Sequence, residues 1–591
     1  MVIEATKPET AKEIKGEPVA IEPQSDAIDM DFLSIRVKAY RDGAFKYQER
    51  RHEDWRENYS LYRDKVITNR LTQRQSVNVP LMKESIRTLL AKTDEFPDLY
   101  YESLSGDKQK EVFLNEYWSW WVVADRFEVK DIVDKKQVGL YGRSTMKLNL
   151  FDGRPTVEVL EPYDWLCDRY ADPSDVDNTA NYQAHINIFR SLSALSANPL
   201  YDAQAIKELK EMYAKSLGLI KSDENFKAMQ AKNERMQDLG VYDIENPQIG
   251  ETYIELNEHY IKLWDEQMKK LRIYIRVTAD SKVLLMKPLD ELFGINFFPF
   301  VTWASDIEKT DLWSDGEGDI IRTPNKVLNA WFSQMVENRT LKNFGMHFYD
   351  GTAGDGRWLP QTYEPVPWGW YPTAGDPNKT TKQVDIPDLS DSLEEMNFII
   401  GMVERATATN ATEKGAQTKG NPTLGEIQMI MANSSQRITS TAKFYKIARR
   451  EFGEKWYKFL TANEKWITPV KVWKKSYKGN YFEQELTASD WKDDAGYSCK
   501  VVSSAERSEK GIMAVQKLKA VSDMFPQNTP LKKILKKKAL DLVEDISPEE
   551  MKEIMDFDEM AGNAGNMGEE MMPEGASNPQ AQEMMKGMMK V

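Results

Sequence analysis

A helical pattern runs without a break from Thr423 to about Leu460 and is one of the longest in the chain. It opens with the capping box Thr423-Leu-Gly-Glu426, in which a threonine and a glutamate satisfy free amides at a helix start. At about 1.5 Å per residue, the predicted helix is on the order of 55 Å long. A rod of this length sets the plan of the second half of the chain.

Two further helices are predicted ahead of the rod. The first lies within Asp311 to Phe344, where Thr323 and Pro324 form a cap and a first helical position for at least its main part. Its apolar stripe consists of Ile320, Val327, Leu328, Trp331 and Met335. The second begins at the capping box Ser392-Leu-Glu-Glu395, and its apolar residues are Leu393, Met396, Ile399, Ile400 and Val403.

Between these helices, residues 345–388 form a turn-rich segment with many proline and tryptophan residues. Proline breaks helices, so short strands such as MHFY, RWLP and KQVDI fit this segment, whereas a long helix does not. Helices on both sides would bracket the module like the legs of a hairpin, so that it projects from the body. Because aromatic residues favour interfaces, we expect a docking surface formed by Trp358, Trp368, Trp370 and Tyr371. A small structural subdomain is the alternative.

A polar loop, NATEKGAQTKGN, separates the second helix from the rod. It has no aromatic residue, and Gly415 and Gly420 give its backbone freedom. The polar residues of interest in it are Asn410, Lys414, Gln417 and Lys419. Taken alone, such a segment is typical of an ordinary surface linker.

The first half of the chain has a mixed pattern of helices and strands. Helices are predicted from Asp31 to about Lys65, after Ser76, and from Lys108 to Val138, where Trp118, Trp120 and Trp121 are core candidates. Alternating apolar residues around Asp152-Gly153 predict a hairpin, and strands are predicted from Thr252 to Leu285. Residues 191–239 are expected to be helical, polar and peripheral. The fold class is therefore α+β.

Composition limits the kind of protein this is. The chain has 591 residues, which predicts two to four subdomains, and its net charge of −15 argues against a protein that grips phosphate over its whole surface. Two cysteines form neither a disulfide framework nor a zinc pattern, which suits a reducing compartment. No membrane span is expected, since the sequence has no apolar run of about eighteen residues.

The order of these segments resembles the portal protein of tailed bacteriophages, in which two stem helices flank a clip and a tunnel loop leads to a long wing helix. GEGDIIRTPNKVLNAWFSQMVENR looks like the first stem helix, and PTLGEIQMIMANSSQRITS looks like the start of the wing helix. GLYGRSTMKLNL and VEVLEPYDWLCDRYADPSD resemble the portal wing. The implied division is an N-terminal arm (1–30), an α+β wing (31–310), stem helix 1 (311–344), the clip (345–388), stem helix 2 (389–409), the tunnel loop (410–421), the long wing helix with strands (422–504), crown helices (505–558) and a Met-rich tail (559–591).

This resemblance implies a homo-oligomeric ring, usually a dodecamer, at one vertex of the capsid. Double-stranded DNA would pass through its channel, and terminase, a head–tail adaptor, capsid and scaffold proteins would be its partners. The protein would be made in the host cytoplasm and end in the virion. It would have no catalytic site and no cofactor. Lys414 and Lys419, with Asn410 and Gln417, would touch the DNA weakly as it slides.

The sequence also leaves other interpretations of its function open. The chain would otherwise be another head–tail connector or structural ring protein, or a metal-dependent nuclease using the aspartates of residues 164–177. Their spacing matches no EF-hand, so we expect a solvated acidic loop there and no metal site. GLYGRST lacks the lysine of a phosphate loop and precedes a strand, which excludes that function. The four histidines have no metal spacing and are expected to be structural or surface residues.

Overall fold

A computed structural model describes residues 30–64, 77–92, 98–151, 153–213, 218–220, 226–238, 251–266, 268–280, 282–343, 347–351, 369–380, 392–407, 424–475 and 481–502. The described chain is a mixed α+β protein, as the sequence predicts. It divides into two compact units, of which one contains Met1–Asp94 and Trp121–Thr468 and the other Glu95–Trp120 and Pro469–Val591. The N-terminal arm, the crown helices and the Met-rich tail lie outside the described residues.

The helices are α1 (Met30–Glu49), α2 (His52–Tyr62), α3 (Leu81–Lys92), α4 (Lys108–Ala124), α5 (Phe127–Tyr141), α6 (Val176–Thr179), α7 (Leu192–Ala197), α8 (Ala203–Tyr213), α9 (Phe226–Asp238), α10 (Leu289–Leu292), α11 (Glu317–Asn343), α12 (Pro377–Thr380), α13 (Ser392–Ala406), α14 (Leu424–Ala462) and α15 (Ala488–Trp491). The predicted rod is α14, which has 39 residues. The predicted helices at α1 to α5, α11 and α13 are likewise confirmed.

The strands are β1 (Asp98–Ser103), β2 (Arg143–Phe151), β3 (Arg154–Leu160), β4 (Trp165–Cys167), β5 (Tyr182–Ser191), β6 (Gly218–Ile220), β7 (Thr252–Asp265), β8 (Lys270–Ala279), β9 (Lys282–Pro288), β10 (Phe300–Ala304), β11 (His347–Asp350), β12 (Trp370–Thr373), β13 (Val470–Lys475), β14 (Tyr481–Leu486) and β15 (Tyr497–Val502). The predicted hairpin is β2–β3, and the strands predicted after Thr252 are β7, β8 and β9.

The largest sheet has the order β4-β5-β7-β8-β9, with neighbouring strands antiparallel and β6 parallel to β7. Side chains alternate between its two faces. One face buries Ala184, Ile186 and Ile261 against Leu33 and Val37 of α1. The other face contributes to the main core, which also contains residues of α2, α3, α11 and α13.

A second sheet of the same unit has the order β10-β2-β3. In the hairpin, Met146 lies opposite Val159 and Leu148 opposite Val157. Gly142 separates α5 from β2 with a φ of 85°, and a Cβ there would lie 1.9 Å from the carbonyl oxygen of Ser314. Both the left-handed backbone and the close approach require glycine. These two requirements explain Gly142, the second glycine of GLYGRST, without a role in phosphate binding.

Residues 191–239 are helical and mostly exposed in α7 and α8, as predicted, but one side of these helices is buried, which the sequence did not predict. The segment contains α7, α8 and α9 but also β6, and Leu195, Ile206 and Leu209 are buried in the main core. The guanidinium of Arg235 donates two hydrogen bonds to the carboxylate of Glu161. The segment has many charged residues, so its narrow apolar stripe could not be recognised from the sequence. The stripe becomes evident from its packing against the neighbouring sheet.

The second unit pairs β1 with β15 and β13 with β14, both antiparallel. The hydroxyls of Ser103 and Ser105 each donate to Asp493 Oδ2 at 2.6 Å. Aromatic rings fill its interior, with Tyr101 against Trp118 and Tyr117 against Trp491. Of the three tryptophans predicted for the core, Trp118 and Trp121 are buried, whereas Trp120 is only half-buried. β13, β14 and β15 all lie within residues 422–504, where strands are predicted to follow the long helix.

Candidate functional site

The two helices that flank the proline- and tryptophan-rich segment pack against each other. α11 has 27 residues and α13 has 15. Their contact belongs to the main core, where Ile321 and Leu328 of α11 and Met396, Ile399 and Val403 of α13 are buried. Ile320, which the sequence placed on the apolar stripe, is instead 46% exposed, and its neighbour Ile321 takes the buried position.

Ion pairs hold the beginning of α11 against α2. Arg51 Nη2 lies 2.8 Å from Asp319 Oδ2, and Arg322 Nη1 lies 2.9 Å from Asp54 and 3.0 Å from Asp319. Asp319 also accepts a hydrogen bond from the backbone amide of Gly316, which lies just before the helix. The carboxylate therefore binds two cations and a free amide at the positive end of a helix, where negative charge is stabilising.

The expected helix start at Thr323 and Pro324 is wrong, because α11 begins at Glu317 and contains Pro324. Tertiary contacts extend the helix by two turns beyond the local signal. A Cβ on Gly318 would lie 2.6 Å from the carbonyl oxygen of Leu140, so the first turn lies against α5. Proline weakens a helix at one position, but packing and the Asp319 pairs outweigh that loss.

One face of α11 carries polar residues that the sequence analysis overlooked. Asn325 Oδ1 accepts from the amide of Met82, Asn329 Oδ1 accepts from the amide of Val79, and Ser333 Oγ accepts from the amide of Val77. The segment before α3 thus runs along the helix, which accepts hydrogen bonds from its Val77 and Val79 amides. The spacing of 325, 329 and 333 places all three on one face, which was the available signal.

The bracketed segment forms a small module in which β11 and β12 pair in parallel, His347 opposite Trp370 and Phe348 opposite Tyr371. The rings of His347 and Trp370 stack with their centroids 4.8 Å apart. Trp370 is 67% exposed, whereas Tyr371 is half-buried. Of the four predicted docking residues, Trp370 and Tyr371 are described, and as consecutive residues of β12 they point to opposite faces of the strand pair; Trp358 and Trp368 lie outside the described residues. β11 matches the predicted MHFY strand; the predicted RWLP and KQVDI strands also lie outside the described residues.

The face of α13 opposite its buried side is apolar at its centre. Phe398 and Met402 lie one turn apart and are 62% and 42% exposed. The loop residues Asn410, Lys414, Gln417 and Lys419 follow this helix but lie outside the described residues.

The rod is anchored by a buried charged cluster. Arg449 Nη2 donates to Asp134 Oδ2 at 2.5 Å and lies 2.8 Å from Asp131 Oδ1, while the Tyr445 hydroxyl donates to Asp131. Burial disfavours the cation, but Tyr445, Asp131 and Asp134 hold the pKa of the Arg449 guanidinium above its usual range. The cluster joins α14 to α5 and leaves Arg449 charged.

The acidic turn is not fully solvated, which corrects the expectation for residues 164–177. Asp164 and Asp168 are buried, and Asp164 accepts from Lys232 Nζ at 2.7 Å and from Asn187 Nδ2 at 2.8 Å. Asp175 caps α6 by accepting from the amide of Asn178. In the described part of the chain, no group of three or more His, Cys, Asp and Glu residues is arranged to hold a metal ion.

Three of the four histidines are buried, namely His52, His185 and His259, and His347 is half-buried in the module. No helix in the described part of the chain is both long enough and apolar enough to cross a bilayer.

No protein-family model matches this chain. No curated protein matches it either.

Proposed function

We propose that this chain is a portal protein of a tailed bacteriophage: one subunit of a ring through which double-stranded DNA enters and leaves a capsid. In this proposal α11 and α13 are the stem, β11 and β12 belong to the clip, and α14 is the long wing helix. The two sheets joined to α1–α3 and α5 are the wing body. The ring has no catalytic site of its own and takes no cofactor.

The observation that carries the proposal is the packing of α11 against α13 on either side of a small strand module. In this proposal the two paired helices, with the module between their sequence segments, are the stalk of the subunit, and the 39-residue α14 follows in the chain. A compact enzyme has little need of such an arrangement, whereas a channel lined by helices requires long, stiff elements that repeat around an axis.

Ring closure needs a surface on each subunit that the subunit does not cover itself. A heterologous contact joins two different patches of neighbouring copies and closes when the rotation between copies divides a full turn. The exposed Phe398 and Met402 of α13 supply one apolar patch. The exposed Trp370 of the module supplies a rigid aromatic contact of the kind that docking surfaces use, here toward terminase or the head–tail adaptor.

The charge of the chain suits passage of DNA. Several phosphate contacts together would hold DNA in place, and an acidic protein of net charge −15 repels the phosphates over roughly 8–10 Å at moderate salt. Lys414 and Lys419, each followed by a glycine in the polar loop, would touch the moving duplex transiently. Because the loop follows the stem helix directly, its residues belong to the channel side in this proposal.

Electron microscopy of the purified full-length protein tests the proposal. We expect hollow rings with a flared end and a central channel wide enough for a duplex. Compact monomers at micromolar concentration would overturn it, and solid or open assemblies would favour another structural role. A metal-dependent nuclease assay on the same preparation should give no cleavage, and cleavage abolished by chelation would favour the nuclease alternative.

The loop has its own test in packaging reactions with terminase and proheads. Lys414→Glu combined with Lys419→Glu should leave ring formation intact and reduce DNA packaging or genome retention. The matched control changes two lysines of the described surface, Lys443→Glu and Lys446→Glu on α14. Equal packaging by wild type and the loop variant would remove the loop from the function while leaving the ring assignment untouched.

A further inference from the structure

Helix α5 buries charged residues on the side that faces α14. Asp131, Asp134 and Lys135 are all buried there. Asp131 accepts from the Tyr445 hydroxyl and pairs with Lys135, while Asp134 pairs with Arg449. A surface helix ordinarily buries an apolar stripe and exposes its charges. The inner side of α5 is therefore polar, which reverses the usual arrangement.

The outer side of α5 is apolar. Val129, Ile132 and Val133 are 59%, 47% and 41% exposed in the described chain. Residues three and four positions apart are neighbours on a helix, so the three side chains form one stripe, here called the α5 stripe. Single apolar residues are ordinary on a protein surface, whereas contiguous ones point to a contact. The reversed polarity of α5 thus leaves a surface that another molecule can cover.

Charged residues mark the two ends of the α5 stripe. Arg126 and Glu128 are both exposed at its beginning and offset each other. Lys130 is paired with Asp125, with Nζ and Oδ2 2.8 Å apart. Lys136 lies one turn beyond the last apolar residue and is half-exposed. The α5 stripe is therefore balanced in charge at its N-terminal end and positive at its C-terminal end.

The outer face of α13 carries the matching charges. Phe398 and Met402 are its apolar centre, with exposed Glu395 one turn before Phe398 and exposed Arg405 one turn after Met402. Spacings of three, four and three residues place all four on one face. This face is about 15 Å long from end to end, and the α5 stripe with its charged ends is about 12 Å long.

We propose that the α5 stripe of one subunit binds the outer face of α13 in a neighbouring copy of this chain, with the two helices antiparallel. The inference rests on the proposed ring and names the second patch of its heterologous contact. In this direction Glu395 lies opposite Lys136, and Arg405 lies opposite the balanced end of the α5 stripe. A parallel contact would place Arg405 against Lys136, and like charges disfavour it.

The contact explains how copies add to one another. Both faces are exposed in the same subunit, so they meet in different copies. Each contact leaves one free α5 stripe at one end of the growing assembly and one free α13 face at the other end. Copies therefore add until the ring closes, as a heterologous contact requires.

Disulfide cross-linking of the full-length protein tests the contact, because both native cysteines are buried. Ile132→Cys combined with Phe398→Cys places one thiol on each face. We expect mild oxidation to give a ladder of covalent oligomers in non-reducing electrophoresis. Phe398→Cys combined with Val283→Cys, an exposed residue of β9, should give no ladder. Rings without a ladder in the first variant would overturn this contact alone, whereas wild-type protein without rings or ladders would overturn the ring as well.

The single variants test whether the contact is heterologous. Ile132→Cys alone and Phe398→Cys alone should each remain monomeric in the same gel. A mixture of the two, assembled before oxidation, should give dimers and nothing longer, because each chain then has one thiol. A covalent dimer of Phe398→Cys alone would show that α13 meets α13 and would overturn the proposal.

Charge reversal tests the orientation. Lys136→Glu and Glu395→Lys should each weaken ring formation severalfold in analytical ultracentrifugation, and the double variant should recover it. Lys136 also lies over the ring of Tyr62 in its own subunit, with Nζ 4.4 Å from the ring centroid. The double variant lacks that contact too, so recovery would assign the loss to the contact between copies. A double variant as weak as the single ones would overturn the antiparallel pairing.

Discussion

The helices α13 and α14 differ in the side chains that they bury and expose: α14 buries charged residues, whereas α13 leaves large apolar residues exposed. α14 buries Arg449 and Lys455, and each is surrounded by acceptors: Lys455 Nζ lies 2.7 Å from the carbonyl oxygen of Phe300 and 3.0 Å from Asp177. α13 buries Met396 but leaves Phe398 and Met402 exposed. The buried cations of α14 therefore have their partners within the chain, whereas nothing in the described chain covers Phe398 and Met402 of α13.

This difference separates what holds the subunit together from what it offers to others. A buried cation needs partners in fixed positions, which stiffens the body around α14. An apolar face in water is unfavourable unless another molecule covers it. If the comparison is right, changes on α14 should affect stability, and changes on the outer face of α13 should affect assembly.

The largest effect is expected for Arg449→Met. It leaves Asp134 buried without its cation and Asp131 with Lys135 alone, a loss that costs about 3–5 kcal/mol for such pairs. Hydrogen exchange of the α14 and α5 amides should report this as a reduced free energy of opening. Arg450→Met, at the neighbouring exposed position, is the matched control and should change it by less than about 0.5 kcal/mol. Similar effects at both positions would contradict the anchoring role of the cluster.

Met396→Ala tests the buried side of α13. Removing a buried methionine side chain costs about 2–5 kcal/mol, and we expect the lower end because the helix pair is only partly enclosed. Denaturation followed by near-UV circular dichroism measures the loss. Met402→Ala changes the same residue type on the exposed face of the same helix and should be nearly neutral. A reversal of this order would place the packed face of α13 on the other side.

Acid should destabilise the body that anchors α14. Burial lowers the pKa of His52 to about 4 and that of His259 to about 3. Each is neutral in the folded protein but titrates near 6.5 when unfolded, so stability is complete above about 6.5 and is lost as the pH falls toward these values. Between pH 7.5 and 5.5, His52 alone should account for about 1 kcal/mol.

The measurement is the difference in unfolding free energy between pH 7.5 and pH 5.5. His52→Gln should reduce this difference by about 1 kcal/mol. A pH dependence that persists in full in His52→Gln would show that its burial does not control the acid response.

The smallest effect on stability, and the most informative for function, is expected for Phe398→Gln. The side chain is 62% exposed, so the unfolding free energy should change by less than about 0.5 kcal/mol. Ring formation, measured by analytical ultracentrifugation, should weaken because the change removes apolar area from the proposed contact. Glu394→Gln, on the same helix and also exposed, serves as the control. Rings that form equally well would remove this face from the assembly contact.

The periodicity of apolar residues was enough to predict the α+β class, the hairpin β2–β3, the strands after Thr252, and the helices α11, α13 and α14. These elements repeat at 2 or 3.6 residues over long segments, and such patterns are local. Periodicity could not predict that the ring of Trp370 stacks on another ring, although Trp370 itself was predicted to belong to a docking surface. The lysines of the polar loop remain predictions, since they lie outside the described residues.

Several features needed contacts between distant parts of the chain. The start of α11 before Pro324, the burial of Asp164 and Asp168, the apolar stripe within residues 191–239 and the Arg449 cluster each join residues far apart in sequence. A buried charge is stable only when it has partners, and here other elements of the fold supply them. The spacing of residues in the sequence does not show which elements those are. For this protein, local patterns specify which elements form, and long-range packing decides which charged and apolar side chains end up inside.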